Sequence, residues 1–102
     1  MSEATPARKV IVRLAELFRR NGYVRRVNAV RRIEEGQLYK KGAEIRMVAE
    51  SRAELTEIHR LLRQAGFNVG RPFAKGRQWR QPVYGVAAVA RFLELIASVP
   101  EG

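Results

Sequence analysis

The chain of 102 residues contains no cysteine, no aspartate and a single histidine. Without cysteine there is no disulfide framework, no thiol nucleophile and no thiolate zinc site, which removes zinc fingers from consideration. Without aspartate, the ten glutamates are the only acidic side chains. Phosphodiesterases that work with Mg²⁺ need converging carboxylates, most often including Asp, to hold the metal and position water, so the absence counts against a nuclease. No stretch approaches the roughly 18 to 20 apolar residues that cross a bilayer, and the first six residues lack the charged-then-apolar order of a secretory signal. The expectation is a cytoplasmic protein with no membrane partner. His59 stands beside Glu57 and Arg60 with no Ser or Cys near it in sequence, and reads as a surface histidine rather than a catalytic base. "VGRPFAKGR" has two glycines but no Lys-Ser/Thr pair and no helix start, so it is not a phosphate loop. Glu34 and Glu35 are adjacent, and neighbours on a strand point to opposite faces, so a solvated turn accounts for them. No catalytic residues, metal ligands or cofactor are implied.

What the chain does have is positive charge. Twenty Lys and Arg against ten Glu give +10, and sixteen of the twenty are arginine. Such a balance favours a polyanionic partner, nucleic acid before an anionic membrane surface. Arginine also forms the bidentate fork that suits phosphate and guanine. At 46% apolar and 29% charged the chain belongs with ordinary globular domains, and its length closes one core.

Residues 1–5 read as a flexible tail, residues 6–99 as a single domain and residues 100–102 as a C-terminal tail. Thr5-Pro6 supplies an N-cap followed by proline at the first helical position. Val10, Leu14, Leu17 and Phe18 then recur at helical steps through Asn21, with Arg13, Glu16 and Arg20 on another face. Gly22 is placed to end the helix in the left-handed conformation. From 23 to 33, Tyr23, Val27, Ala29 and Ile33 are expected on the buried side of a strand, with Arg26, Asn28 and Arg32 on the polar side. "EEGQ" around Gly36 reads as a hairpin turn. Ala43, Ile45, Met47 and Ala49 alternate with Glu44, Arg46 and Val48 in the returning strand.

Ser51 and Glu54 form a capping box, and Leu55, Ile58, Leu62 and Ala65 give the stripe of a second helix ending at Gly66. Phe67, Val69 and Phe73 alternate into a turn at Lys75-Gly76, and Trp79, Gln81 and Val83 lead back, with Pro82 suited to an edge strand or a bulge. A third helix from Val86 to Ser98 presents Val89, Phe92, Leu93 and Ile96, and Pro100 stops it. The order is αββαββα. "LFRRNGY" at 17–23 aligns with "LLRQAGF" at 61–67, which suggests either a duplication or reuse of the same capping physics. The fold class is α+β, a four-stranded, mainly antiparallel sheet with helices packed on one face.

The other face then carries the charge. Residues 23–49 hold Arg25, Arg26, Arg31, Arg32, Lys40, Lys41 and Arg46 against three glutamates, and residues 67–84 hold Arg71, Lys75, Arg77 and Arg80 against none. Both hairpins therefore have a single-sign excess, and the expectation is contact with phosphates. Arg26, Asn28, Arg32, Gln78 and Arg80 have the chemistry for reading bases, since Arg pairs with guanine and Asn or Gln with adenine. Trp79 and Tyr39 have rings that stack on unpaired bases or cover an edge.

The order αββαββα, opened by "LAELFRRNG" and closed by "QWRQPVYGVAAVARFLELI", resembles the LAGLIDADG homing-endonuclease fold. That resemblance implies a saddle-shaped antiparallel sheet lying in the DNA major groove. It also implies a metal-binding acidic residue just before the glycine of the first helix; the matching residue here is the neutral Asn21. In that family paired helices meet through small residues, whereas this chain has Glu16 and Arg20 there, so a homodimer of the family type would place charge in its seam. The leading expectation is a non-catalytic nucleic-acid-binding protein, DNA favoured over RNA. The alternatives are a protein-interaction module for an acidic partner and a degenerate nuclease using Glu34 or Glu35.

Overall fold

A computed structural model describes residues 6–26 and 43–101. The cap at Thr5, the later part of the first strand, the turn at Gly36, and Asn28, Arg31, Arg32, Glu34, Glu35, Tyr39, Lys40 and Lys41 lie outside the described residues. The described elements are α1 (Arg8–Asn21), β1 (Tyr23–Arg26), β2 (Ala43–Ala49), α2 (Arg52–Gln64), β3 (Phe73–Lys75), β4 (Gln78–Tyr84) and α3 (Val86–Ala97). The strands form one antiparallel sheet in the order β1-β2-β4-β3. The fold is therefore α+β in the order αββαββα.

The three described helices share one core with one row of the sheet. Leu14, Ala15 and Leu17 of α1, Ile58 and Leu62 of α2, and Val89, Phe92 and Ile96 of α3 are buried together with Ala43, Ile45, Met47, Ala49 and Val83. The alternation expected for β2 is borne out, its odd-numbered residues facing the helices. Phe92 lies at the centre, fully buried, with Phe18 and Phe67 meeting its ring edge-on at centroid distances of 5.2 and 5.7 Å. Edge-to-face pairs of this kind add to the burial itself.

α2 starts and stops by local chemistry that the sequence announces. The Ser51 hydroxyl accepts from the Glu54 N–H at 3.1 Å, and the Glu54 carboxylate reaches back to the Glu50 N–H at 2.9 Å, one residue earlier than in an ideal capping box. At the other end Gly66 takes a φ of +86°, with Phe67 N–H donating to the Leu62 carbonyl and Gly66 N–H to that of Arg63. These two bonds define a Schellman stop.

α1 departs from its expectation at both ends. It begins at Arg8 with Ala7 at the cap and no side-chain cap bond, so Pro6 precedes the helix instead of occupying its first position. Gly22 is extended, at φ −74°, and not left-handed. The glycine is needed for another reason, since a Cβ there would come within 2.6 Å of the Phe18 ring and 3.0 Å of the Phe18 carbonyl.

The register of β1 is also the reverse of that expected. Val24 pairs with Ile45 on the helix side, and Tyr23 pairs with Arg46 on the other. In the second half of the chain, β3 is only three residues long, and Phe67 and Val69 pack against the core ahead of it without joining the ladder. The reversal is a two-residue turn at Gly76-Arg77, with Gly76 at φ +63° and Arg77 at negative φ, a type II′ pattern. Pro82 sits in β4, an internal strand, yet β3 ends at the Phe73–Arg80 pair and leaves that flank open. An antiparallel residue turns its N–H and C=O to the same neighbour. The Pro82 carbonyl accepts from the Gly70 N–H at 2.9 Å, so its missing donor falls where no strand asks for one. The buried Gln81 amide secures the same segment, donating to the Gly70 carbonyl at 2.7 Å.

Candidate nucleic-acid interface

The strand pairings define which side chains occupy the face turned away from the helices. They are Tyr23 and Arg25 on β1, Glu44, Arg46 and Val48 on β2, Gln78, Arg80, Pro82 and Tyr84 on β4, and Phe73 and Lys75 on β3. Of the candidate residues within the described part, Arg25, Arg46, Lys75, Gln78 and Arg80 thus share one face. Arg71 lies on the exposed approach to β3 and Arg77 on the exposed turn beside Lys75. The register separates two others. Arg26 takes the parity of Val24, and Trp79 pairs with Ala49 on the helix side, packed against the core with the Arg52 guanidinium 5.2 Å from its ring centroid. For Trp79 this is the edge-cover use of a strand aromatic; the polar row expected through Arg26 is replaced by one through Arg25.

The middle of the face is a connected set of polar groups. Arg46 donates to Glu44 at 2.9 Å, and Arg25 lies 3.8 Å from the same carboxylate. The Arg46 guanidinium also rests over the Phe73 ring at 5.0 Å. Arg80 donates to the Gln78 side-chain oxygen at 2.9 Å and to the Tyr23 hydroxyl at 3.3 Å. Burial pushes the Tyr23 phenol up, but hydrogen bonds from Arg46 and Arg80 and their charges outweigh it and hold the group below its usual range. The two guanidiniums therefore converge on one oxygen, and each is fixed by a second contact.

Towards α1 the set continues through Glu50, which accepts from Gln78 at 3.0 Å and from Asn21 at 2.7 Å. Asn21 is the residue that takes the metal-ligand position in the resemblance, and here its amide serves as a donor. Among the described residues no group of three or more His, Cys or Glu side chains is gathered to hold a metal ion.

Around this centre the cations divide by use. Arg71, Lys75 and Arg77 are exposed and form no ion pair among the described residues. Others belong to the scaffold. Arg13 grips Glu57 through two bonds of 2.9 and 3.2 Å, and Arg20 grips Glu54 while donating to the Val48 carbonyl at 3.1 Å. Those contacts hold the Glu54 and Glu57 carboxyls below the usual carboxylate range, the hydrogen bond from the arginine being the largest cause in each. Arg8 and Arg19 bond carbonyls at the end of α3, among them Ser98, Ile96 and Val99, where a cation also suits the helix dipole. Net charge alone therefore overstates the charge available to a partner. His59 is exposed on α2, as expected of a surface histidine.

Sequence reasoning missed Tyr23 and Glu44 as members of the centre. Tyr23 is next to Val24 and Arg25 next to Arg26, so neither pair of neighbours votes for a parity. The strand pairing decides it. For Glu44 a signal existed, since its alternation with Arg46 already placed both on the same face. In comparison with known proteins, no family model matches the chain, and neither a curated protein nor a solved structure matches it.

Proposed function

We infer that this is a small nucleic-acid-binding protein, DNA favoured, that docks the face of its sheet turned away from the described helices on phosphates without cutting the chain it holds. The observation that carries the reading is the register of the four strands. It sets Arg25, Arg46, Lys75, Gln78 and Arg80 on the face turned away from the described helices, and Glu44 is the only acid in any described strand. Arg71 and Arg77 extend the same cationic surface along the approach to β3 and its turn. In this reading the exposed cations Arg71, Lys75 and Arg77 make the salt-sensitive contacts, and the fixed pair Arg46 and Arg80 fills the centre. The likeness in element order to LAGLIDADG proteins is part of the proposal and agrees with a sheet that meets DNA.

The test is a binding titration with duplex DNA, single-stranded DNA and RNA across salt concentration. Contact with six to eight phosphates predicts a log–log salt slope of about −5 to −7. No binding to any of the three at low salt would reject the reading in favour of an acidic protein partner.

A further inference from the structure

Where β4 runs into α3, the segment after α2 and the first turns of α3 border an open cavity of about 230 Å³. Phe67, Asn68, Tyr84, Ala87 and Arg91 are among its walls. Tyr84 also belongs by register to the sheet face turned away from the described helices, so the cavity adjoins the end of that face. We propose that it receives a single unpaired nucleobase of the bound nucleic acid, an inference that rests on the nucleic-acid reading above.

Size sets the first limit. A cavity of this volume falls below the roughly 300 to 1,000 Å³ of sites for drug-sized ligands, so it suits one heterocycle and not a base pair. Chemistry sets the second. The Arg91 guanidinium lies over the Phe67 ring, 4.4 Å from its centroid, and donates to the Ala65 carbonyl at 2.5 Å. A guanidinium held in this way is a flat cationic wall against which a base can stack. One of its N–H groups is already engaged, which weakens the two-pronged fork a partner carboxylate would use. The exposed Asn68 amide offers a donor and an acceptor to the edge of a base. Ala87 is small and exposed and leaves the mouth open.

The experiment compares the full chain binding a paired DNA duplex with the same duplex carrying one bulged 2-aminopurine. The proposal predicts at least about tenfold tighter binding of the bulged duplex, within the range of one base stacked on a protein surface, and a rise in 2-aminopurine fluorescence as the base leaves its neighbours. Ala87→Leu, which fills the cavity from an exposed position, should remove both the preference and the fluorescence rise while paired-duplex affinity stays within twofold. Asn68→Ala should reduce the preference without altering the thermal midpoint. Equal affinity for the two duplexes, or a preference that persists in Ala87→Leu, overturns the base cavity and leaves the sheet-docking reading standing. Failure of the chain to bind either duplex or any single strand rejects the sheet-docking reading first and this one with it.

Discussion

Two junctions in this chain are spelled almost alike and fold differently. Asn21-Gly22-Tyr23 and Ala65-Gly66-Phe67 each carry an amphipathic helix through a glycine to an aromatic residue. At the first, glycine is extended, β1 starts at once and the tyrosine faces the side of the sheet away from the described helices. At the second, glycine is left-handed, the phenylalanine turns back into the core against Phe92, and six residues pass before β3 begins. Glycine answers a steric demand from Phe18 in one case and a backbone demand in the other. The aromatic follows its chemistry: the hydroxyl goes where Arg46 and Arg80 supply donors, and the plain ring goes to the apolar side.

The largest effect expected from breaking this contrast is Phe67→Ala, which removes one of the two rings meeting Phe92 and should cost about 3 to 5 kcal/mol in a denaturant titration. Tyr23→Phe at the matching place removes only a part-buried hydroxyl held by two guanidiniums and should cost about 1 to 2 kcal/mol. Equal losses would mean that both aromatics are core residues.

The glycines sharpen the contrast next. Gly66→Ala forces an L residue into the left-handed region and should cost about 1 to 2 kcal/mol, and Gly66→Asn should recover part of it. Gly22→Ala should cost a comparable amount, about 1 to 3 kcal/mol, by overpacking against Phe18. Gly22→Asn should recover none, because the conformation there is ordinary and the obstruction is the neighbour. Recovery by Asn at both positions, read from thermal midpoints, would show that the two glycines do the same job.

A smaller effect separates the junctions by pH. Arg20, two residues before Gly22, holds Glu54, and Arg13 holds Glu57, so both carboxyls titrate below their ordinary value of 4.5. A carboxyl depressed in the folded state adds stability above its unfolded pKa, and that contribution is lost as pH falls through the folded one. Stability should therefore fall on acidification below about pH 4.5. Glu54→Gln together with Glu57→Gln should flatten that dependence. An unchanged acid limb in the double variant would remove these pairs from the account of how α1 is held on α2.

Much of the fold was legible because its signals are local. The alternation of Ala43, Ile45, Met47 and Ala49 needs only a period of two, and Ser51 with Glu54 needs only a cap. What was not legible depends on partners distant in sequence. "YVRR" has two apolar neighbours and two cationic ones, so its facing is set by pairing with β2 and not by its own pattern. Pro82 suits an edge strand or a bulge, yet lies in an internal strand, because β3 stops short of it. Of the candidate interface, charge and parity together point to Arg46, Gln78 and Arg80, and charge alone points to Arg25 and Lys75. Arg26 was assigned to the same row on an inverted register, and Glu44, which moderates the charge of Arg25 and Arg46, went unnoticed as their partner.

The central claim is that the sheet side, and not the helix side, meets a polyanion. The most direct measurement is the salt dependence of duplex DNA binding for two variants beside the parent chain: Arg71→Ala with Lys75→Ala and Arg77→Ala, and Arg60→Ala with Arg63→Ala on exposed α2. Each lost phosphate contact should flatten the log–log slope by about one, so the triple variant should lose about 2 to 3 units and the α2 double variant none. A triple variant with the parent's slope, or an α2 double variant with the flatter one, would contradict the account.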